Sequence, residues 1–459
     1  MNPLSKLSRR LLLLLTALGA GFLCGGLHAG SATWSLTPQS GDWYTAANWV
    51  PETVPNGPND VATLNGCSSI LNLTFPAGST TILDSMVIHA APYYGVTVGD
   101  QSSLTFVGRG ALLVGSYASD HLIADTGGTI TFTGRSSSEA GVYCTGMVSF
   151  QDNSASIGNA DVYSPGILIF SDQANATGVV NVVNGGAAYF NDDATADNVL
   201  LGVYGDGFAD ISRHRAPGLA TRALYADGTI FLGANNLMVI TSPLPYDNSF
   251  PGTLTDGGTS GGRGGSLTKA GAADTFLILS GSSTYTGGTT VVGGALFIET
   301  DSRSTPTGTG DVHVNNGGFG GRGNVQGNVT IGSGTSTPAS LLPGKRANGF
   351  GRLSIRGALT FASDGTLASR VSSAKVGNGE VSARGVTIIN AAQVELTDRN
   401  NTKLPTGTVL TLINNTAGTP IVGTFANLPD GGTLTANSNT YQADYEGGDG
   451  NDLTLTVIN

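Results

Sequence analysis

The chain has 459 residues, a formal net charge of −11 and a pI near 4.8, a balance that repels phosphate backbones and argues against nucleic-acid binding. Glycine supplies 69 residues and charged side chains only 12%, about half the usual charged share. Hydrophobic residues at 39% exclude a disordered Gly/Ser chain, and glycines without a strict three-residue period exclude collagen. These figures describe an all-β protein with very many turns.

Residues 1–29 read as a secretory signal peptide. Lys6, Arg9 and Arg10 precede an apolar run over 11–23, and small residues and then Leu27-His28-Ala29 follow, with Leu27 bulkier than the residue usual there. That run is short for a membrane span, and no later stretch is long and apolar enough to be one. Export to an oxidising compartment would permit a disulfide between Cys67 and Cys144, the cysteines left after cleavage. Two free buried thiols are the equal alternative.

Trp34, Trp43 and Trp49 lie close together near the start of the exported chain. They suit either an aromatic platform for sugar stacking or a plug over the open end of a stacked β-structure. The plug is the preferred reading, because a solenoid has to close its ends. From residue 70 to 239, short runs rich in Val, Ile, Leu, Phe and Thr recur, each bounded by Gly, Asn, Asp or Ser. Val179, Asn181 and Val183 alternate with Val180 and Val182, so period alone does not choose the inward face. Many short strands without helical periodicity or clear linkers fit a right-handed parallel β-helix best. Residues 30–241 are therefore read as an N-terminal β-helix with its tryptophan cap, and 242–266 as a Pro/Gly-rich joint. That joint is either a flexible link or an irregular loop within one solenoid. Residues 267–340 form a second repeat region, and 341–459 a β-rich closing region.

The stretch 267–299 packs three apolar runs (276–279, 289–292 and 295–298) between Gly-rich breaks. It resembles the passenger-associated transport repeat, also called the autotransporter-associated β-strand repeat. Leu267, Thr268, Lys269 and Gly271 match the start of that pattern, and Ser280, Gly281 and Thr284 through Val291 match its centre. Gly294 and Leu296 match its end. Ala273-Asp274, Ser283 and extra residues before Ser280 depart from it. Gly41-Asp42-Trp43, Ala47-Asn48-Trp49 and Pro58-Asn59-Asp60 are similar to the family's opening. Leu342-Pro343-Gly344, the Gly/Leu/Ile pattern that follows, and residues 425–455 are similar to its later elements. The resemblance implies export and a β-helical surface or secreted stalk. A translocating barrel needs about eight or more alternating strands of roughly ten residues. The Gly-rich, short-stranded C-terminal part lacks that pattern, so no self-translocation is expected.

Candidate chemistry is sparse. Gly447-Gly448-Asp449-Gly450-Asn451-Asp452 opens a single copy of the calcium-binding nonapeptide, which would make Asp449 and Asp452 the ligands. A Gly/Asp turn opening the last strand is the plainer reading. Asp192, Asp193 and Asp197 cluster between strand runs, a pattern worth weighing because β-helical polysaccharide lyases and hydrolases align carboxylates across coils. Asp is also an ordinary turn residue. Arg213-His214-Arg215 is a short basic cluster that suits a solvated turn better than an anion site. No catalytic, cofactor or metal residue is assigned. The sequence points to an exported, non-enzymatic β-helical surface or matrix protein, an adhesin or carbohydrate-contacting scaffold, with polysaccharide or cell-surface ligands. The alternatives are a β-helical polysaccharide lyase or hydrolase and a calcium-stabilised extracellular structural protein.

Overall fold

The computed structural model describes residues 30–89, 93–115, 121–241, 248–300, 304–374, 377–398 and 400–459. The signal-peptide reading of 1–29 and the first residues of the 242–266 joint lie outside them. The chain winds into a parallel β-solenoid of about 14 turns, and the described residues are all-β apart from one 3₁₀ turn at Ala46–Asn48. Right-handed winding is the hand that the twist of parallel crossovers favours.

Among the described residues the coils contribute strands of two to twelve residues, those between Ala32 and Thr255 mostly to a 22-stranded sheet and the later ones to an 8-stranded sheet that ends at Ile388 and a 13-stranded sheet that ends at Val457. The strands are short because Gly, Asn and Asp interrupt every apolar run, and they stack in register because like side chains meet one coil apart. A single inward column runs Leu104, Ile130, Val148, Leu168, Ala188, Ala209, Ile230 and Leu254, all fully buried. Val180 and Val182 take the inward face of their strand, leaving Val179 and Asn181 outside.

Beside that column runs a stack of phenylalanine rings. Phe106, Phe132, Phe150, Phe170 and Phe190 pair in register, their rings nearly parallel and stacked with centroids 4.6–5.3 Å apart. Those distances follow the strand spacing of about 4.8 Å, so the backbone ladder itself sets the ring stacking. Each such pair adds about 0.5–1.5 kcal/mol beyond its area burial.

The tryptophans plug the first coil. Trp34 and Trp43 meet Trp49 edge-on at 4.9 and 4.7 Å, and Trp43 stacks on Phe75 at 4.7 Å. All three are buried, and their indole N–H groups donate to the carbonyls of Ile70, Pro55 and Trp43. With ring faces and polar edges both used internally, they offer no platform to a ligand.

Stacking continues across the Pro/Gly-rich stretch. Asn236–Thr241 pairs residue for residue with Ser266–Gly271, and Thr253–Thr255 adds to Thr229–Phe231. Strands on both sides thus belong to one solenoid. Nor does the architecture change at 340/341, which falls inside the strand Ala339–Pro343. Parallel stacking runs on to Gln393–Asp398 and to Val409–Asn415, which pairs parallel with Gly377–Ala383; Asp452–Val457, Asn439–Gly447 and Thr433–Ala436 then add to Val409–Asn415 as an antiparallel terminal module.

Candidate functional site

Since inward positions are filled mainly by apolar side chains, chemistry is sought first on the turns and outer faces. One turn carries a ladder of aspartates. Asp152, Asp172 and Asp192 follow the stacked Phe150, Phe170 and Phe190 at the same offset, each with positive φ (55°, 58° and 53°). The carboxylate of Asp172 accepts the N–H of Asp152 (3.2 Å), and that of Asp192 accepts the N–H of Asp172 (3.3 Å). Asp152 accepts from the Thr133 hydroxyl (2.5 Å) and the Gly134 N–H (2.9 Å). Asn153 donates to Gln173 at 3.0 Å, and Asp193 is ion-paired with Arg215. Together these side chains line an open polar groove of about 460 Å³.

The groove contains Asp192 and Asp193, whereas Asp197 lies exposed on the following strand, Thr195–Tyr204, and does not line it. The relevant neighbours of Asp192 are therefore one coil away, 20 residues back in sequence, rather than beside it in the turn. A general acid needs a carboxyl whose pKa is raised toward neutrality. Asp152 goes the other way: the Thr133 hydroxyl and the Gly134 N–H hold it below the usual carboxylate range. The carboxylates of this ladder serve as backbone acceptors, turn over turn. The signal was present in the sequence as Phe-x-Asp-x-small at 150–154, 170–174 and 190–194, but it is visible only once the coil length is known.

Arg213-His214-Arg215 belongs to the same junction. Arg215 neutralises Asp193, and the His214 nitrogens lie 2.7 Å from the carbonyls of Arg215 and Ala194. This cluster splices coils together rather than presenting an anion site.

A second strip lies on another outer face and is aromatic. Exposed Tyr93 approaches half-buried His121 to 5.7 Å, and with Ile123 and exposed Tyr143 they line a groove of about 390 Å³. Tyr143 stacks on Tyr163 of the next coil at 4.9 Å. Along the same ladder, Tyr143 is in register with Asp161, Asp161 with Asn181, Asn181 with Gly202, and Gly202 with Tyr225. Asn181 donates to Asp161 at 2.8 Å and accepts from the Tyr225 hydroxyl at 2.7 Å, from two coils away. Gly202 makes that reach possible, because a Cβ there would come within 2.4 Å of the Tyr225 ring. Tyr225 in turn meets exposed Tyr204 edge-on at 5.9 Å. The result is a row of aromatic faces interleaved with carboxamide, carboxylate and hydroxyl groups.

The remaining candidates serve structural ends. Cys67 and Cys144 are free; Cys67 is exposed, and burial pushes the Cys144 thiol up to about 11. Asp452 is buried at the start of the last strand, and one of its oxygens accepts the Asn415 N–H at 2.8 Å. Burial, and then the nearby Asp449, raise its pKa, which opposes the ionised form that a cation needs. Among the described residues no group of three or more His, Cys, Asp or Glu is placed to hold a metal ion.

In the 267–299 stretch, Lys269 points inward between Val239 and Val291, fully buried. Its ammonium donates to the carbonyls of Ala270 (2.5 Å) and Gly293 (3.1 Å), and burial lowers its pKa to about 8. Tyr285 is equally buried and bonds Thr289 at 2.6 Å. The Gly287-Gly288 turn is forced by close packing. A Cβ on Gly287 would lie 2.2 Å from the Gly264 carbonyl, and Gly288 has φ +88°. Lys269, Tyr285 and the Gly287-Gly288 turn are thus spent on packing within and between coils. No family model matches the chain, and no curated protein matches it either.

Proposed function

We propose that the protein is an exported, non-enzymatic β-solenoid that serves as a surface or matrix scaffold and contacts neutral polysaccharide along its outer face. The observation that carries this reading is the aromatic strip from Tyr93 to Tyr225. Sugar rings present apolar C–H faces to aromatic side chains and hydroxyls to amides and carboxylates, and this strip alternates the two chemistries along the solenoid axis. Contacts repeated coil after coil add up through multivalency, so each can be weak. An acidic chain disfavours polyanionic glycans, which selects for neutral ones. The resemblance of 267–299 to the autotransporter-associated repeat supports export to the cell surface or beyond, as an adhesin or stalk.

The test incubates the full chain with a panel of polysaccharides, scoring retained binding and new chain ends in the same tubes. Retention of a neutral glycan that drops several-fold in Tyr143→Ala and Tyr163→Ala variants, without new ends, is the expected result. New ends abolished by Asp192→Ala or Asp193→Ala would replace the scaffold with a polysaccharide-cleaving enzyme. Cell fractionation reads the location independently.

A further inference from the structure

At the C-terminal end three parallel ladders, one in the 8-stranded sheet and two in the 13-stranded sheet, finish in three different ways. The ladder ending at Val386–Ile388 is closed by one residue, Val422, whose N–H and C=O bond Val386 and Ile388 at 3.0 and 2.7 Å. The ladder reaching Val409–Asn415 is extended by the antiparallel module. The third ends at Gln393–Asp398, whose only strand partner among the described residues is Gly365–Ser372. An open strand edge is a template for pairing with another chain.

Here side chains take the place of the missing strand. Asn427 binds both backbone groups of Val394, accepting its N–H at 2.9 Å and donating to its C=O at 2.8 Å. Asn437 donates to the carbonyls of Asp398 and Asn400, both at 2.8 Å. Asn439, fully buried, repeats the double contact one segment on, accepting from Leu404 N–H at 2.7 Å and donating to Thr402 C=O at 2.8 Å. A carboxamide has the donor and acceptor of a peptide group without a chain to continue it. It satisfies an edge and ends the ladder. Peptide groups alternate between the two edges of a strand, so Leu396 N–H and C=O lie on the same edge as those of Val394 and Asp398.

We propose that Asn427 and Asn437 lock this edge against self-association, and that without them Gln393–Asp398 pairs antiparallel with the same strand of a second copy. Such a pairing is self-complementary about a two-fold axis and closes as a dimer. The segment that carries Asn427 is anchored as well by the Ala426 N–H, which donates to the Ala392 C=O at 2.8 Å where the edge begins, and by buried Phe425 and Leu428.

The experiment measures the mass of the full chain by light scattering, together with its circular dichroism. Wild type and an Asn401→Leu control on the same end are expected at monomer mass. Asn427→Leu/Asn437→Gly is expected at twice that mass, and Leu396→Pro, which deletes an edge N–H, is expected to return it to monomer. A double variant that keeps wild-type dichroism and monomer mass overturns the proposal, as does doubling that Leu396→Pro leaves untouched. Should the double variant fail to fold, hydrogen exchange on the wild type decides. The lock requires the Val394 amide to be as protected as the ladder amides of its strand, and exchange at the rate of an exposed turn overturns it.

Discussion

The coils from Ser103 to Ile211 and those from Ser266 to Ile331 belong to one solenoid yet fill their interiors differently. In the first set, rings stack directly over rings, and a ladder of aspartates ties each turn to the one before. In the second, mainly aliphatic residues share the interior with a buried lysine and a buried tyrosine, both bound to neighbouring oxygens. Dispersion and area burial hold most of the first set, where buried Ser136 and Ser138 need only nearby carbonyls, and those forces need no partner atom of a particular kind. Polar satisfaction holds part of the second, so a single deletion there strands carbonyls as well as opening space. One backbone plan therefore tolerates two chemistries, because the strand ladder supplies the common hydrogen bonding.

The comparison breaks most visibly at the centre of the ring stack. Phe150→Ala removes contacts with both Phe132 and Phe170, and the expected loss is about 3–5 kcal/mol in denaturant unfolding. A loss under about 1 kcal/mol would show that the stack is ornamental.

Next comes the buried amine. Lys269 has a folded pKa of about 8 against 10.5 for the free side chain, so between those values the unfolded chain holds more protons. Stability is then expected to rise with pH through that window, by up to about 3 kcal/mol. In Lys269→Met this rise should vanish, while the carbonyls of Ala270 and Gly293 lose their donor. Unfolding midpoints of wild type and variant across the window read the effect; parallel curves would mean that the amine is not buried as described.

A smaller change is expected on the aspartate ladder. Asp172→Ala deletes one acceptor and places alanine at φ 58°, for a loss of about 1–2 kcal/mol, whereas Asp172→Asn keeps an acceptor and tolerates that conformation. Equal losses in the two variants would assign the effect to charge. The least perturbing test compares the thiols. Cys67 should react with a maleimide in the native protein while Cys144 stays unmodified until unfolding, read residue by residue by mass spectrometry. Native labelling of Cys144 would show that the coil around it opens.

Much of the fold was legible in the chain because strand and turn formation are local. Apolar runs cut by Gly, Asn and Asp can only be short strands, and many of them without linkers must stack. The tryptophan cap was legible as well, since three large rings beside an open end have few other uses. The candidate sites were less so. Asp192 was conspicuous beside Asp193 and Asp197, but its working neighbour is Asp172, in sequence a coil away. Tyr143 and Tyr163, or Asn181 and Tyr225, are ordinary outward residues until register places them in one row.

By itself, then, the sequence determined the strand grammar, the solenoid class and the closed N-terminal end, all of which follow from side-chain type over a few residues. The tertiary structure alone decided which face of each strand is inside, which residues meet along the axis and how each ladder ends. Those depend on register, and register is set by the length of every intervening turn summed over a coil. A shift of one residue would turn Val180 outward and Asn181 inward. It would also move Asn427 away from Val394, where two hydrogen bonds now end a ladder that local sequence gives no reason to stop.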